Sequence, residues 1–137
     1  MDLRKVTDDF AVAPQIEADE FAELARLGFR HVINNRPDGE APQQMSSSEA
    51  GTAAKAAGLT YVHAPFVGQP SEAALKAIEE ASDSGPTFAY CRSGTRSITA
   101  WAISAARSKK LDPDAILQKA RNAGYNLDGL KEFLRNL

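Results

Sequence analysis

Short apolar runs alternate with longer amphipathic stretches along this chain. Leu3–Val6 and Phe10–Ala13 flank the polar turn Thr7-Asp8-Asp9, which predicts a β-hairpin that ends at Pro14. Residues 18–27 then place Phe21, Leu24 and Ala25 on one helical face, with Gly28 as a left-handed terminator. Phe29–Asn34 is mostly apolar and predicts an interior strand. Ser46-Ser-Ser-Glu49 is a capping box that opens a helix whose inner face is small: Ala50, Ala53, Ala54 and Ala57. Leu59–Ala64 predicts a strand, and a Ser71-capped helix carries Leu75 and Ile78 inward. Thr87–Tyr90 predicts a buried strand, and Ile98, Trp101, Ala102 and Ala105 share one face of the helix after it. Asp112-Pro113 reads as N-cap and first position of a helix with Ile116, Leu117 and Ala120, ended by Gly124. Leu127, Leu130, Leu134 and Leu137 form the stripe of a last helix.

Strands that alternate with helices predict β-α-β units with right-handed crossovers. The expected fold class is therefore α/β, with three layers: a mostly parallel sheet of about five strands and helices on both faces. The first hairpin supplies an antiparallel edge. In such sheets ligands bind beyond the carboxyl ends of the strands. That edge collects three loops: Asn34–Glu40, Phe66–Pro70 and Cys91–Arg96.

The whole-chain properties narrow the function. A length of 137 residues predicts one domain, 1–137. The net charge of −2 argues against nucleic-acid and membrane-surface partners, which require a basic footprint. A single cysteine excludes an internal disulfide and a Cys-x-x-Cys redox pair. Met1–Lys5 lacks the apolar core of a signal peptide, and no run reaches transmembrane length, so the expected location is the cytoplasm. No Cys, His and carboxylate cluster has metal-ligand spacing, so neither a metal nor a cofactor is expected. His31 and His63 lie on strands and are read as structural.

The chemistry concentrates in Tyr90-Cys-Arg-Ser-Gly-Thr-Arg-Ser97. Strand, tight polar loop and helix form the layout of an anion cradle, in which loop N–H groups and the helix dipole favour negative charge. Cys91 is expected at the mouth of this loop, as a thiolate, because helix N-termini and arginines lower a thiol pKa. Gly94 supplies backbone freedom for the turn. Arg96 is the expected anion clamp through its planar fork. Ser93, Gly94 and Thr95 complete the anion-binding loop. Arg92 either stabilises the thiolate or faces solvent. On the neighbouring loop, either Asp38 caps a turn and Arg36 pairs with it, or Arg36 binds an anionic substrate while Asn34 or Asn35 fixes the loop; Arg36, Asn34, Asn35 and Asp38 are accordingly the expected substrate-site residues of that loop. Trp101 is read as core.

These residues carry a family resemblance. The Cys91 loop resembles that of rhodanese sulfurtransferases, with four residues between cysteine and the basic residue. It is also similar to the Cys-x5-Arg loop of cysteine-dependent phosphatases, one residue shorter. Together with Val32-Ile-Asn-Asn-Arg-Pro-Asp-Gly-Glu40, it resembles the bacterial phosphatase-like domain called β-lactamase-hydrolase-like. That domain occurs alone or fused to a metallo-β-lactamase-type persulfide dioxygenase. The resemblance implies a cysteine-phosphatase-like fold with Cys91 and Arg96 as catalytic residues. It also implies a persulfide dioxygenase as a partner.

Two departures from the phosphatase pattern favour sulfur transfer. A phosphoryl group presents three equatorial oxygens that want donors at about 2.9 Å. Each residue spans at most about 3.3–3.6 Å, so losing one shortens the ring by about a donor–acceptor separation. Phosphatases also need an acid for the leaving oxygen; Pro65–Pro70 holds none, and Asp38 could substitute only if its loop reaches over the site. The expected function is a sulfurtransferase that carries a sulfane sulfur as a Cys91 persulfide, with thiosulfate or glutathione persulfide as donor and a thiol as acceptor. The alternative is a phosphatase acting through a cysteinyl-phosphate. A second alternative is a non-catalytic anion- or partner-binding module, which would tolerate Cys91→Ser.

Overall fold

The computed structural model describes residues 1–137. Five strands form one sheet: β1 (Arg4–Thr7), β2 (Phe10–Ala13), β3 (His31–Asn34), β4 (Thr60–His63) and β5 (Thr87–Tyr90). Their order is β1-β2-β5-β3-β4, with β1 antiparallel to β2 and every other pairing parallel. The α/β class and the antiparallel edge match the sequence pattern.

Six helices cover the sheet: α1 (Glu20–Arg26), α2 (Ser47–Ala56), α3 (Glu72–Ser84), α4 (Thr95–Arg107), α5 (Pro113–Asn122) and α6 (Lys131–Arg135). Strand alternation divides the core in two. Phe88 and Tyr90 of β5 face one side with Ala11, Ala13, Val32, Phe21 and Leu24, against α1 and α2. Ala89 faces the other side with Phe10, Val12, Ile33 and the apolar residues of α3 to α6. Trp101 stacks on Phe10 at 6.1 Å between ring centroids, so it is core, as expected.

The local signals explain most boundaries. Ser46 and Glu49 form the reciprocal capping box, and Ser71 and Asp112 cap α3 and α5. The end of the chain departs from the expectation. Instead of one regular helix, Asp128–Leu130 is a 3-10 turn followed by the short α6. Gly129, inside the leucine stripe, weakens a continuous helix there.

Sheet register positions the candidate site. Ala13 and Asn34 both pair with Tyr90, and Asn34 pairs with His63. The four parallel strands therefore end at one level. The loops after them, which begin at Pro14, Asn35, Ala64 and Cys91, leave the same edge side by side. No helix is long and apolar enough to cross a membrane.

Candidate active site

Cys91 follows β5 directly and lies at the floor of the loop, fully buried. The sequence placed it at the loop mouth, and the structure corrects that. The loop folds back over the sulfur, and the Gly94 N–H donates to Cys91 Sγ at 3.1 Å. Gly94 is the N-cap of α4 at φ 91°, in the left-handed region that glycine occupies without strain. A side chain there would also run into the Tyr125 hydroxyl. The N–H groups of Arg92, Ser93, Arg96 and Ser97 find no acceptor within the chain, so the start of α4 holds unspent donors. The Thr95 N–H is taken by Ser93 Oγ at 3.3 Å.

Arg96 reaches across to the neighbouring loops. Its Nη1 donates to Glu40 Oε2 at 2.9 Å and to the Phe66 carbonyl at 3.2 Å, and its Nη2 donates to Glu40 Oε1 at 2.7 Å. These bonds to Glu40, opposed by burial and reinforced by the Cys91 sulfur, raise the guanidinium pKa further. Arg92 faces solvent, and only its carbonyl is engaged, accepting from the Gln15 N–H at 3.4 Å. Ser93 and Thr95 are exposed at the rim.

Arg36 does not pair with Asp38. Its side chain is only 5% exposed, and it donates to Glu40 Oε1 at 3.0 Å and Gln15 Oε1 at 3.1 Å. The Asp38 carboxylate is spent elsewhere, accepting the Ser47 N–H at the start of α2 at 2.8 Å. Two arginines thus converge on Glu40, and their hydrogen bonds hold its carboxyl down at about 2.

Both asparagines fix the loop. Asn34 Oδ1 accepts the Arg36 N–H at 2.9 Å, and its amide donates to the Tyr61 hydroxyl at 3.0 Å. Asn35 donates to the Ala64 carbonyl at 2.9 Å and accepts from Ser97 Oγ at 2.8 Å, which ties β3 to α4. His63 Nε2 donates to the Arg36 carbonyl at 2.8 Å, a structural role as expected.

Three participants escaped the sequence reading. Glu40 carried a signal, an i+4 spacing from Arg36 inside the polar loop. Gln15 lies just beyond Pro14, where β2 leaves the same edge. Tyr125, whose hydroxyl donates to the Ser93 carbonyl at 2.9 Å, comes from the distant segment after α5 and carried no local signal.

A buried cysteine under a glycine-turned loop, with unspent donors and an arginine at its rim, can hold an anion against a nucleophile. The profile of the phosphatase-like domain of β-lactamase hydrolase-like proteins matches residues 2–108. The chain belongs to that family. It is 32% identical over 138 residues to a β-lactamase hydrolase-like protein of Xylella fastidiosa, covering 98% of this chain and 32% of that one. It is also 32% identical over 133 residues to one of Agrobacterium fabrum, covering 95% and 31%. This chain spans about a third of the length of those relatives. Among solved structures, a Neisseria meningitidis protein provisionally named a phosphatase superposes with a TM-score of 0.82 at 28% identity, covering 99% of this chain and 98% of that one. Tk-PTP superposes at 0.71 and 22% identity, covering 98% and 94%, and shows the fold alone. The domain is a phosphatase-like protein with a cysteine-phosphatase fold.

Proposed function

We propose that Cys91 is the nucleophile of a group-transfer reaction and that the group is a sulfane sulfur. The thiolate attacks the outer sulfur of thiosulfate or glutathione persulfide. A bond forms from Cys91 Sγ to that sulfur, and the donor's S–S bond breaks. Sulfite or glutathione thiolate leaves with the electron pair. An acceptor thiol then takes the sulfur from Cys91.

One observation supports this reading over hydrolysis: both carboxylates of the loop after β3 are engaged, so neither is free to protonate a leaving oxygen. Asp38 is engaged by the Ser47 N–H, and Glu40 is held ionised between Arg36 and Arg96. Pro65–Pro70, whose Phe66 carbonyl binds Arg96, carries no acid. Sulfite and thiolate leave as stable anions and need no proton. In this reading a persulfide dioxygenase is the partner, and a free nucleophilic thiol suits the reducing cytoplasm.

Phosphate-ester hydrolysis through a cysteinyl-phosphate is the second reading. The family and the Neisseria meningitidis neighbour favour it, since both are described as phosphatase-like or phosphatase. One experiment separates the two. Intact mass after thiosulfate or glutathione persulfide is expected to show one added sulfur, absent in Cys91→Ser, and turnover of aryl phosphate is expected to be weak. Efficient phosphate turnover with no trappable persulfide would overturn the first reading in favour of the second.

A further inference from the structure

We propose that Tyr125 is a positioning residue that orients the Ser93–Gly94 peptide and so governs the reactivity of the Cys91 sulfur. The inference rests on the reading of Cys91 as a nucleophile, but not on which group it transfers.

The geometry is a relay through one peptide unit. At its oxygen end, the Ser93 carbonyl accepts from the Tyr125 hydroxyl at 2.9 Å. At its nitrogen end, the Gly94 N–H donates to Cys91 Sγ at 3.1 Å. Hydrogen bonds in a chain polarise one another, so a donor on the carbonyl strengthens the N–H at the far end. The same donor resists rotation of the peptide. Rotation is the freedom to remove here, because Gly94 sits at φ 91° with no side chain to hold it.

Tyr125 is itself held in place. The Arg4 guanidinium lies 5.7 Å from its ring centroid and donates to the Ala123 carbonyl at 3.0 Å. Gly124, at φ 95°, leaves room for that guanidinium, which a Cβ would strike. Burial, opposed by Arg4 and reinforced by the Cys91 sulfur, raises the phenol pKa, so the hydroxyl stays a donor through the neutral range. An edge strand, through Arg4, therefore braces the phenol that braces the loop.

Tyr125→Phe keeps the ring and removes only the relay. As the chain has one cysteine, iodoacetamide labelling followed by intact mass reports Cys91 alone. Losing one neutral hydrogen bond is expected to slow labelling near pH 7 by about 2- to 10-fold and to move the pH–rate profile upward. The Gly94 amide is expected to exchange faster by NMR, with the melting temperature nearly unchanged. A native protein that labels normally, with a Phe variant that matches it across the pH range and in Gly94 exchange, would overturn the proposal alone. A native Cys91 inert to the reagent would overturn it together with the nucleophile reading.

Discussion

Glu40 and Arg96 form a two-point ion pair, Oε2 to Nη1 at 2.9 Å and Oε1 to Nη2 at 2.7 Å, that fastens the loop after β3 to the first turn of α4. Because Glu40 Oε1 also accepts from Arg36, one carboxylate neutralises two arginines at the rim of the site. In the proposed reading, an incoming anion meets an Arg96 that is already positioned, and partly neutralised, by a carboxylate of the chain itself.

Replacing that carboxylate should destabilise the fold through Arg36 more than through Arg96. The Arg36 side chain is 5% exposed, whereas that of Arg96 is 21% exposed. Glu40→Gln leaves the Arg36 charge buried with only neutral partners. The expected loss is about 1–3 kcal/mol, read from the urea midpoint at pH 7. An unchanged midpoint would mean that solvent replaces Glu40 at no cost.

The same pair predicts a defined acid response. Glu40 falls from an ordinary 4.5 to about 2 in the folded protein. A depressed carboxyl contributes stability that is fully present above its unfolded value and is lost as pH falls toward its folded value. The stability gap between native protein and Glu40→Gln should therefore be constant above about pH 5 and shrink between about pH 4.5 and 2. Urea midpoints of both proteins at pH 6 and pH 3 test this. A gap that persists undiminished at pH 3 contradicts it.

Asp38 should behave as a structural residue. Its exposed carboxylate accepts the Ser47 N–H at 2.8 Å. Asp38→Ala is expected to cost about 1 kcal/mol and to leave activity per folded molecule nearly unchanged. A variant that loses a limb of its pH–rate profile would instead make Asp38 a proton donor or acceptor.

Ser97→Ala should be harmful out of proportion to its size. Both Ser97 and Asn35 are fully buried, and their bond of 2.8 Å joins α4 to the loop after β3. The change strands the Asn35 side-chain Oδ1, at an expected cost of about 1–3 kcal/mol by denaturant unfolding. A loss below about 0.5 kcal/mol would show that another donor fills in.

Much of the fold was legible because its signals are local. The Ser46 and Glu49 capping box, the Asp112-Pro113 start and the Phe10–Ala13 run each act within a few residues. The Cys91 loop was legible for the same reason, since strand, glycine turn and helix adjoin in sequence. The partners of its side chains were not. Asp38 and Glu40 are two residues apart and equally acidic, yet one caps α2 and the other binds Arg36 and Arg96. Only the path of the loop through space separates them. Tyr125 was invisible because its contact with Ser93 spans more than thirty residues and leaves no periodic trace.

Ser97 occupies the position that the basic residue would take in a Cys-x5-Arg loop, and it lies in the protein interior, joined to Asn35. Placing an arginine there would force a charge and five donors into the space of one hydroxyl. The two loop lengths are therefore separated by more than a substitution at Ser97. The passable evolutionary step from this spacing to the longer one is an added codon ahead of Arg96, which would leave the Ser97–Asn35 contact whole.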